Sequence, residues 1–158
     1  MEYITALGYT DAAVAVTAGA YSANDVVGGG LRFPAAARHP QTKLKSVMVA
    51  DAAAQSVNYF LVLFSSIPTN IADNGTFDIA DADLKNVVVI VSLPTTDRTA
   101  FTDNSVTLTS TVLAANGGMG IPLASKEGDG DLWGFLYTTG TPTYVATTDV
   151  VIVIGVGT

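Results

Sequence analysis

The sequence contains one run of three glycines, at positions 28–30, and glycine-rich loops are a common way to bind phosphate groups. A Walker-type loop needs Lys-Ser or Lys-Thr at its end, and a dinucleotide-binding loop needs a helix after its glycines. Here Gly30 is followed by LRFP, so that Pro34 comes four residues later and neither requirement is met. The glycines are therefore expected to form a β-bulge or to allow another backbone to approach closely.

Nucleophilic catalysis and zinc chemistry are limited by the scarcity of their usual residues. The chain has no cysteine and a single histidine, His39, which stands in ARHP beside a proline. Thiolate metal sites, a cysteine nucleophile and zinc sites with several histidines are therefore excluded. A Ser-His-Asp triad through His39 would lack the G-x-S-x-G nucleophile motif. We expect a surface histidine and a protein that is not an enzyme.

Two groups of acidic residues have the oxygen ligands that calcium prefers. They are Asp78, Asp81 and Asp83, and Glu127, Asp129 and Asp131. Neither group matches the twelve-residue loop of an EF-hand, and the second belongs to a polar glycine loop, KEGDGD at 126–131. We expect turn carboxylates in contact with water, with no bound metal or cofactor.

Positive charge is concentrated in one part of an otherwise acidic chain. The net charge is −7, from seven basic and fourteen acidic residues. Four of the basic residues are Arg32, Arg38, Lys43 and Lys45, and no acidic residue lies between Asp25 and Asp51. This basic segment is either a loop surface in water or a contact for an acidic partner surface. The overall negative charge argues against nucleic acid as a partner, because binding it requires many cations.

Three aromatic residues alternate along LWGFLYT at 132–138. Trp133, Phe135 and Tyr137 therefore share one face of the predicted strand. If exposed, this face would suit sugar stacking or a subunit contact, whereas a buried face would be core, and we expect core.

The composition predicts one ordered domain, 1–158, in which residues 1–20 are either an extended arm or part of an edge strand. Apolar residues make up 49% of the chain and charged residues only 13%, against about a quarter in average globular domains. Much of the missing charged surface is therefore expected to be interface. The start has no basic stretch before an apolar one, and apolar runs such as VVVIV are too short to cross a bilayer, so neither a secretory signal nor a membrane partner is expected.

Valine and threonine recur in short blocks between Gly, Pro, Asn and Asp, which is typical of β-strands and turns. About eight strands are predicted, at 12–17, 26–33, 45–50, 57–64, 86–93, 105–113, 132–138 and 149–156. We expect an all-β fold, an antiparallel sandwich of two sheets that is jelly-roll-like.

Side-chain alternation distinguishes strands covered on both faces from strands with one face in water. VNYFLVLF at 57–64 is apolar on both faces, so it is central or lies under a second layer. SVTLTSTVL at 105–113 places Val106, Leu108 and Ser110 on one face and Thr107, Thr109 and Thr111 on the other, as in a sheet with one wet face.

Turn chemistry is visible between the strands. The Asn-Gly pair in DNG at 73–75 tolerates the positive φ of a tight turn. FDIADADL at 77–84 could close one helical turn capped by Asp78, with Ile79 and Leu84 pointing inward.

Four stretches of the chain, taken in order, carry a resemblance to known proteins. They are YSANDVVGG…LRF, KLKSVMVADAAAQSVNYFLVLFSSIPT, DNGTFDIADADLKNVVVIVSL and LWGFLYTTGTPTYVATTDVVIVIGV. Together they cover most of residues 21–156 and resemble small structural proteins encoded among the head genes of tailed bacteriophages. Within that group the chain looks like a capsid decoration, or cement, protein.

The resemblance implies a virion protein, made in the bacterial cytoplasm, that binds the outside of the head and stabilises it. Its partners would be the major capsid protein and its own copies, often as a homotrimer at local threefold positions. The glycine stretch would lie flush against a neighbouring subunit, and the basic segment would meet an acidic patch of the shell. The interface residues implied are Val26, Val27, Gly28, Gly29, Gly30, Arg32, Arg38, Lys43 and Lys45.

Other functions remain open at this point. The chain could be a virion-displayed carbohydrate-binding or adhesin module that uses Trp133 or tyrosines as stacking platforms, or a structural protein of the tail or its fibres. Glycan binding would need an aromatic ring exposed in a concave site, whereas cementing would need a broad apolar contact patch.

Overall fold

Short valine-rich segments form antiparallel strands along the chain. The computed structural model describes residues 8–109 and 118–158. Its strands are β1 Gly8–Ala13, β2 Gly19–Ala20, β3 Val26–Phe33, β4 Lys43–Asp51, β5 Tyr59–Phe64, β6 Val87–Leu93, β7 Arg98–Ala100, β8 Ser105–Leu108, β9 Ile121–Pro122, β10 Leu132–Thr138, β11 Thr143–Tyr144 and β12 Val150–Gly157. Two 3-10 helices span Leu84–Asn86 and Thr95–Asp97. The predicted all-β antiparallel fold is confirmed.

The strands are distributed over three sheets. A six-stranded sheet has the order β1-β12-β4-β8-β7, with β9 also paired to β4. A four-stranded sheet has the order β3-β10-β5-β6, and β11 pairs with β2 in a two-stranded ribbon. Eight strands in two sheets were expected. The additional strands β2, β7, β9 and β11 are only two or three residues long, too short to carry a period of two.

The two larger sheets share one apolar core. Leu44 and Val47 of β4 lie in the same buried cluster as Leu61 and Leu63 of β5, and none of the four has exposed surface. At about 25 cal/mol for each Å² of apolar surface buried, contacts of this kind are the main stabilising term of the fold.

The four-stranded sheet buries its opposite face as well. Phe64 and Phe135, each at most 1% exposed, form a second cluster with Val26 and Val62, against which Phe77 packs. The prediction that the strand within 57–64 is covered on both faces is confirmed.

Strand bounds follow the sequence most closely in two neighbouring strands of the four-stranded sheet. β3 and β10 occupy the predicted ranges 26–33 and 132–138. The strand predicted at 12–17 is wrong, because β1 spans Gly8–Ala13 and pairs with β12 there. Val14 and Val16 are buried without belonging to a strand. The end of the strand predicted at 105–113 lies outside the described residues.

β8 turns its polar side chains inward. Ser105, Thr107 and Thr109 are at most 3% exposed, whereas Leu108 is 46% exposed and Val106 is half-buried. The alternation did predict one wet face, but the face in contact with water is the apolar one. A strand normally presents its apolar face to the core, so this orientation leaves apolar surface on the outside of the six-stranded sheet.

The turn expected at 77–84 is only partly correct. A hydrogen-bonded turn closes at Asp83, and Ile79 packs against the second cluster. The 3-10 helix begins at Leu84, which is 55% exposed rather than tucked inward. Asp83 occupies the N-cap position without a side-chain cap and instead accepts a hydrogen bond from the backbone N–H of Thr69 at 2.7 Å. Accepting this bond holds the pKa of the Asp83 carboxyl below its usual value.

Candidate protein-interaction surface

The glycine run forms a wide bulge in β3. Gly134 of β10 pairs with Leu31, and Leu136 pairs with Val27, so residues 28–30 lie opposite a single residue of β10. Gly28 and Gly29 have φ of 85° and 69°, which side chains disfavour. The predicted bulge is confirmed, and β3 departs from regular pairing there.

The close neighbours of the bulge belong to the same chain. A Cβ atom on Gly28 would overlap with Cγ1 of Val14, and one on Gly29 would lie 3.5 Å from the backbone nitrogen of Asp73. Val26 and Val27 have no exposed surface at all. The valines and Gly28 are therefore occupied by contacts within the chain, which leaves Gly30 as the exposed residue of this stretch.

Asp73 connects the bulge to two other segments. Its carboxylate accepts hydrogen bonds from the backbone N–H of Gly28 at 2.5 Å, from the Tyr21 hydroxyl at 2.8 Å and from both the N–H and the hydroxyl of Thr17 at 2.6 Å. Burial, together with this carboxylate, raises the pKa of Tyr21 above its usual value. The turn that follows has Asn74 at φ 58°, as the Asn-Gly pair predicts.

Arg32 of the basic segment is paired within the chain. Its guanidinium contacts the carboxylate of Asp131, which is only 4% exposed, and lies 3.8 Å from Asp129. Asp131 also accepts a hydrogen bond from the N–H of Ala35 at 2.8 Å. This hydrogen bond lowers the pKa of the Asp131 carboxyl, and Arg32 lowers it further by a smaller amount. The acidic loop at 126–131 therefore neutralises part of the basic segment, 99 positions away in sequence.

The other three cations of the segment differ in their surroundings. Arg38 is exposed, Lys43 is half-buried, and the Lys45 ammonium donates to the carbonyl oxygen of Met119 at 2.8 Å. Gly130 packs against the backbone of Arg38, so the acidic loop also lies beside this residue. Arg38 is thus the member of the segment whose charge is most available to a partner.

The aromatic face of β10 is mostly covered. Phe135 is buried, and the Tyr137 ring stacks on Phe60 and on Phe77, with centroids 5.1 and 4.4 Å away. The guanidinium of Arg32 lies 5.8 Å from the centre of the half-buried Trp133 ring. These contacts leave little free ring surface for a sugar to stack on.

A buried polar network joins the two sheets. The Asp51 carboxylate, 2% exposed, accepts hydrogen bonds from the N–H groups of Ala53 and Gln55 and from the Tyr59 hydroxyl at 3.1 Å. The hydroxyl oxygens of Tyr59 and Tyr144 are 2.7 Å apart. Burial raises the pKa of Asp51, and burial likewise raises that of each of the two tyrosines. The network is enclosed, so its role is structural.

The outside of the six-stranded sheet presents an apolar surface, which we call the outer face. Its members, taken from β4, β8 and β12, are Met48, Ala50, Val106, Leu108, Val151 and Val153. They are neighbours across the sheet, because Met48 pairs with both Leu108 and Val153, and Ala50 with Val106 and Val151. Leu108 and Val151 are 46% and 42% exposed.

Charged residues lie at the two ends of the outer face. Lys43 and Lys45 stand at the start of β4. Asp103 in the β7–β8 turn and Asp149 before β12 stand at the other end, where β4 finishes. A depression of about 260 Å³ lies at this second end, lined among others by Ala50, Val106 and Val151.

Sequence reasoning did not identify the outer face. The one available signal was the alternation in SVTL, but it gives the period of a strand and not which face points inward. The partners of Arg32 were equally hidden, since nothing local indicates a contact 99 positions away.

Within 8–109 and 118–158, no three acidic or histidine side chains are placed to hold a metal ion. His39 is exposed and lines a surface depression of about 450 Å³ with Pro40, Gln41 and Thr158. None of the helices in those two ranges has the length and apolar character needed to span a membrane.

Comparison of the chain with models of known protein families, with curated proteins and with solved structures found no match.

Proposed function

We propose that this chain is a capsid decoration, or cement, protein of a tailed bacteriophage, which binds the outside of the head through non-covalent contacts with the major capsid protein and with its own copies. It would be located on the capsid surface of the virion. We further propose that its sheets form a two-layer, jelly-roll-like sandwich that serves as a stiff scaffold for these contacts. The capsid assignment comes from the sequence resemblance. The structure supports the proposal by supplying surfaces through which such a protein would bind its neighbours.

The observation that carries the proposal is the outer face. Six apolar side chains lie side by side on three neighbouring strands, whereas the polar side chains of β8, Ser105 and Thr107, point inward. Contiguous apolar patches on soluble domains commonly mark contacts with other proteins. A cement protein works through such contacts, with no chemical step, and the outer face supplies one of them.

The contact with the shell is proposed to use Arg38. Its exposed guanidinium remains available to an acidic capsid surface, whereas Arg32 is committed to Asp131 and Asp129. Reversing the charge of Arg32 would place three carboxylic groups together and disturb the fold itself. Arg38 is therefore the residue with which to test electrostatic docking.

A carbohydrate-binding function has less physical support. Tyr137 is stacked on Phe60 and Phe77, and the rings of Tyr21, Tyr59 and Tyr144 are buried. A glycan platform needs a ring face that is open to solvent in a concave site.

Co-sedimentation with capsids that lack this protein tests the proposal. We expect saturable binding with a fixed ratio to the major capsid protein, and weaker binding as salt rises. The Arg38→Glu variant should bind more weakly than the wild type, while Lys85→Glu, the same change of charge at an exposed residue elsewhere, should bind normally. Absence of binding at every salt concentration would refute the decoration role. Equal binding of the two variants would remove Arg38 from the docking contact.

A further inference from the structure

We propose that the outer face is covered by the same face of a second copy of this chain, packed with its strands antiparallel to those of the first. This inference rests on the proposed function and deepens it by naming the occupant of the outer face. Three properties of the outer face favour this occupant: its apolar character, its charge pattern and its size.

The orientation of β8 is the first argument. Buried threonines and exposed Leu108 are the reverse of what an isolated sandwich needs. Each exposed aliphatic side chain loses favourable transfer free energy while it faces water, and regains it when a partner covers it. The side chains that would be covered lie in three adjacent strands, so a flat apolar surface fits them better than an inserted loop.

The charge pattern favours a copy of the same chain. The side chains of β4, β8 and β12 between the two ends of the outer face are uncharged, while Lys43 and Lys45 mark one end and Asp103 and Asp149 the other. When two such faces pack with antiparallel strands, the lysines of each copy meet the aspartates of the other. A twofold axis produces this match twice, as expected for an isologous interface.

One acidic segment is placed favourably for this arrangement. Asp73, Asp78, Asp81 and Asp83 belong to the segment that covers the opposite side of the four-stranded sheet. Face-to-face packing through the outer face keeps these carboxylates of the two copies on opposite sides of the pair. These four carboxylates of one copy are thus kept away from those of the other when the outer faces meet.

The size of the face suits a reversible contact. The five paired strands of this sheet contain 30 residues, and at about 4.8 Å by 3.3 Å for each residue they cover about 480 Å². Stable protein interfaces bury about 800 Å² on each partner. The strands therefore supply more than half of that area, and the charged ends of the outer face supply a polar rim.

Analytical ultracentrifugation of the purified full-length protein, over a wide concentration range, tests the inference. We expect a reversible oligomer for the wild type and at least a tenfold weaker association for Leu108→Lys. Ile90→Lys is the matched control, since Ile90 is also an exposed strand residue, 58% exposed, but lies in the four-stranded sheet. Its association should equal that of the wild type.

A charge exchange tests the antiparallel orientation without touching the apolar residues. Lys43→Glu and Asp103→Lys should each weaken association, and the double variant should restore it, because opposite charges again meet across the axis. Circular dichroism of every variant should match the wild type. If Leu108→Lys were to unfold, Leu108→Thr, which keeps a strand-forming residue, should still weaken association.

A wild type that stays monomeric at high concentration would overturn the inference, as would an oligomer that Leu108→Lys and Leu108→Thr leave intact. Failure of the double variant to recover would overturn the antiparallel pairing. These results are separable from the proposed function: a monomer that binds capsids refutes only the second copy, and an oligomer that binds no capsid refutes only the decoration role.

Discussion

The backbone N–H of Gly28 donates a 2.5 Å hydrogen bond to the carboxylate of Asp73, 45 positions later in the chain. The contact joins the bulge of β3 to the turn that follows β5, and the same carboxylate also holds Tyr21 and Thr17. One side chain thus adds side-chain contacts among three segments, two of which are also joined by backbone hydrogen bonds between Val26 and the turn at 73–75.

Replacing Asp73 by asparagine should destabilise the protein by about 1–3 kcal/mol. The amide has one acceptor oxygen and no charge, so it cannot satisfy the donors of Gly28, Tyr21 and Thr17 together. Urea denaturation measures the loss as a lower midpoint. Asp81→Asn, at an exposed position of the same segment, should change the midpoint little, and an equal effect of the two changes would contradict the role given to Asp73.

Gly28→Ala should cost about 2–4 kcal/mol. The residue has φ of 85°, and its new Cβ would overlap with Val14. Gly128→Ala is the control, because a Cβ there meets nothing within 4 Å and the glycine has no positive φ. Thermal unfolding should show a clearly lower midpoint for Gly28→Ala than for Gly128→Ala. Similar losses of stability in the two variants would contradict the role given to Gly28.

Arg32→Gln should destabilise the protein by about 1 kcal/mol, a modest amount because half of the Arg32 side chain is exposed. The change removes the cation from the nearly buried carboxylate of Asp131 and the contact with Trp133. Arg38→Gln should be neutral, since it removes a charge without a described ion pair. Chemical denaturation at low and at high salt distinguishes the two variants. Only the loss of stability caused by Arg32→Gln should become smaller as salt rises, because salt screens the ion pair in the wild type.

Asp51 should make stability fall as pH rises above about 4. Burial raises its pKa in the folded protein, so the folded state holds this proton more tightly than the unfolded chain, whose carboxyl titrates near 3.9. The contribution is therefore favourable at low pH and is lost as pH rises from the unfolded pKa to the folded one, by at most about 1.4 kcal/mol for each pH unit.

The Asp51→Asn variant isolates this effect. It should be less stable than the wild type, because it loses acceptor capacity for Ala53, Gln55 and Tyr59, but the difference should narrow as pH rises from 4 to 7. Asp83 and Asp131 have lowered pKa values, so their effect on stability changes with pH only below about 4. They therefore do not mask the change that Asp51 causes between pH 4 and 7. A difference that is constant with pH would show that the Asp51 pKa is not raised.

The sequence predicts this fold well where local pattern and tertiary contacts agree. β3 and β10 have the predicted ends, because turn residues stand on both sides of each strand. The glycine bulge was also predictable, since no phosphate motif competed for the three glycines.

Other features depend on partners that no local pattern records. The tract at 12–17 has strand composition, yet β12 pairs with residues 8–13 instead. The inward face of β8 is set by the sheet it joins, so alternation alone could not show that Leu108 faces outward. The ion pair of Arg32 likewise depends on the loop at 126–131 folding back beside residues 35–38.

The bulge of β3 has a consequence for how the protein behaves when many copies are crowded together. β3 lies at the edge of its sheet, and regular edge strands are templates for amyloid-like stacking of further chains. Here the bulge interrupts the row of evenly spaced backbone groups, and Gly75 and Asn74 occupy the N–H and C=O of Val26. This edge is thereby protected against fibril growth, so that crowding need not lead to irreversible aggregation through β3.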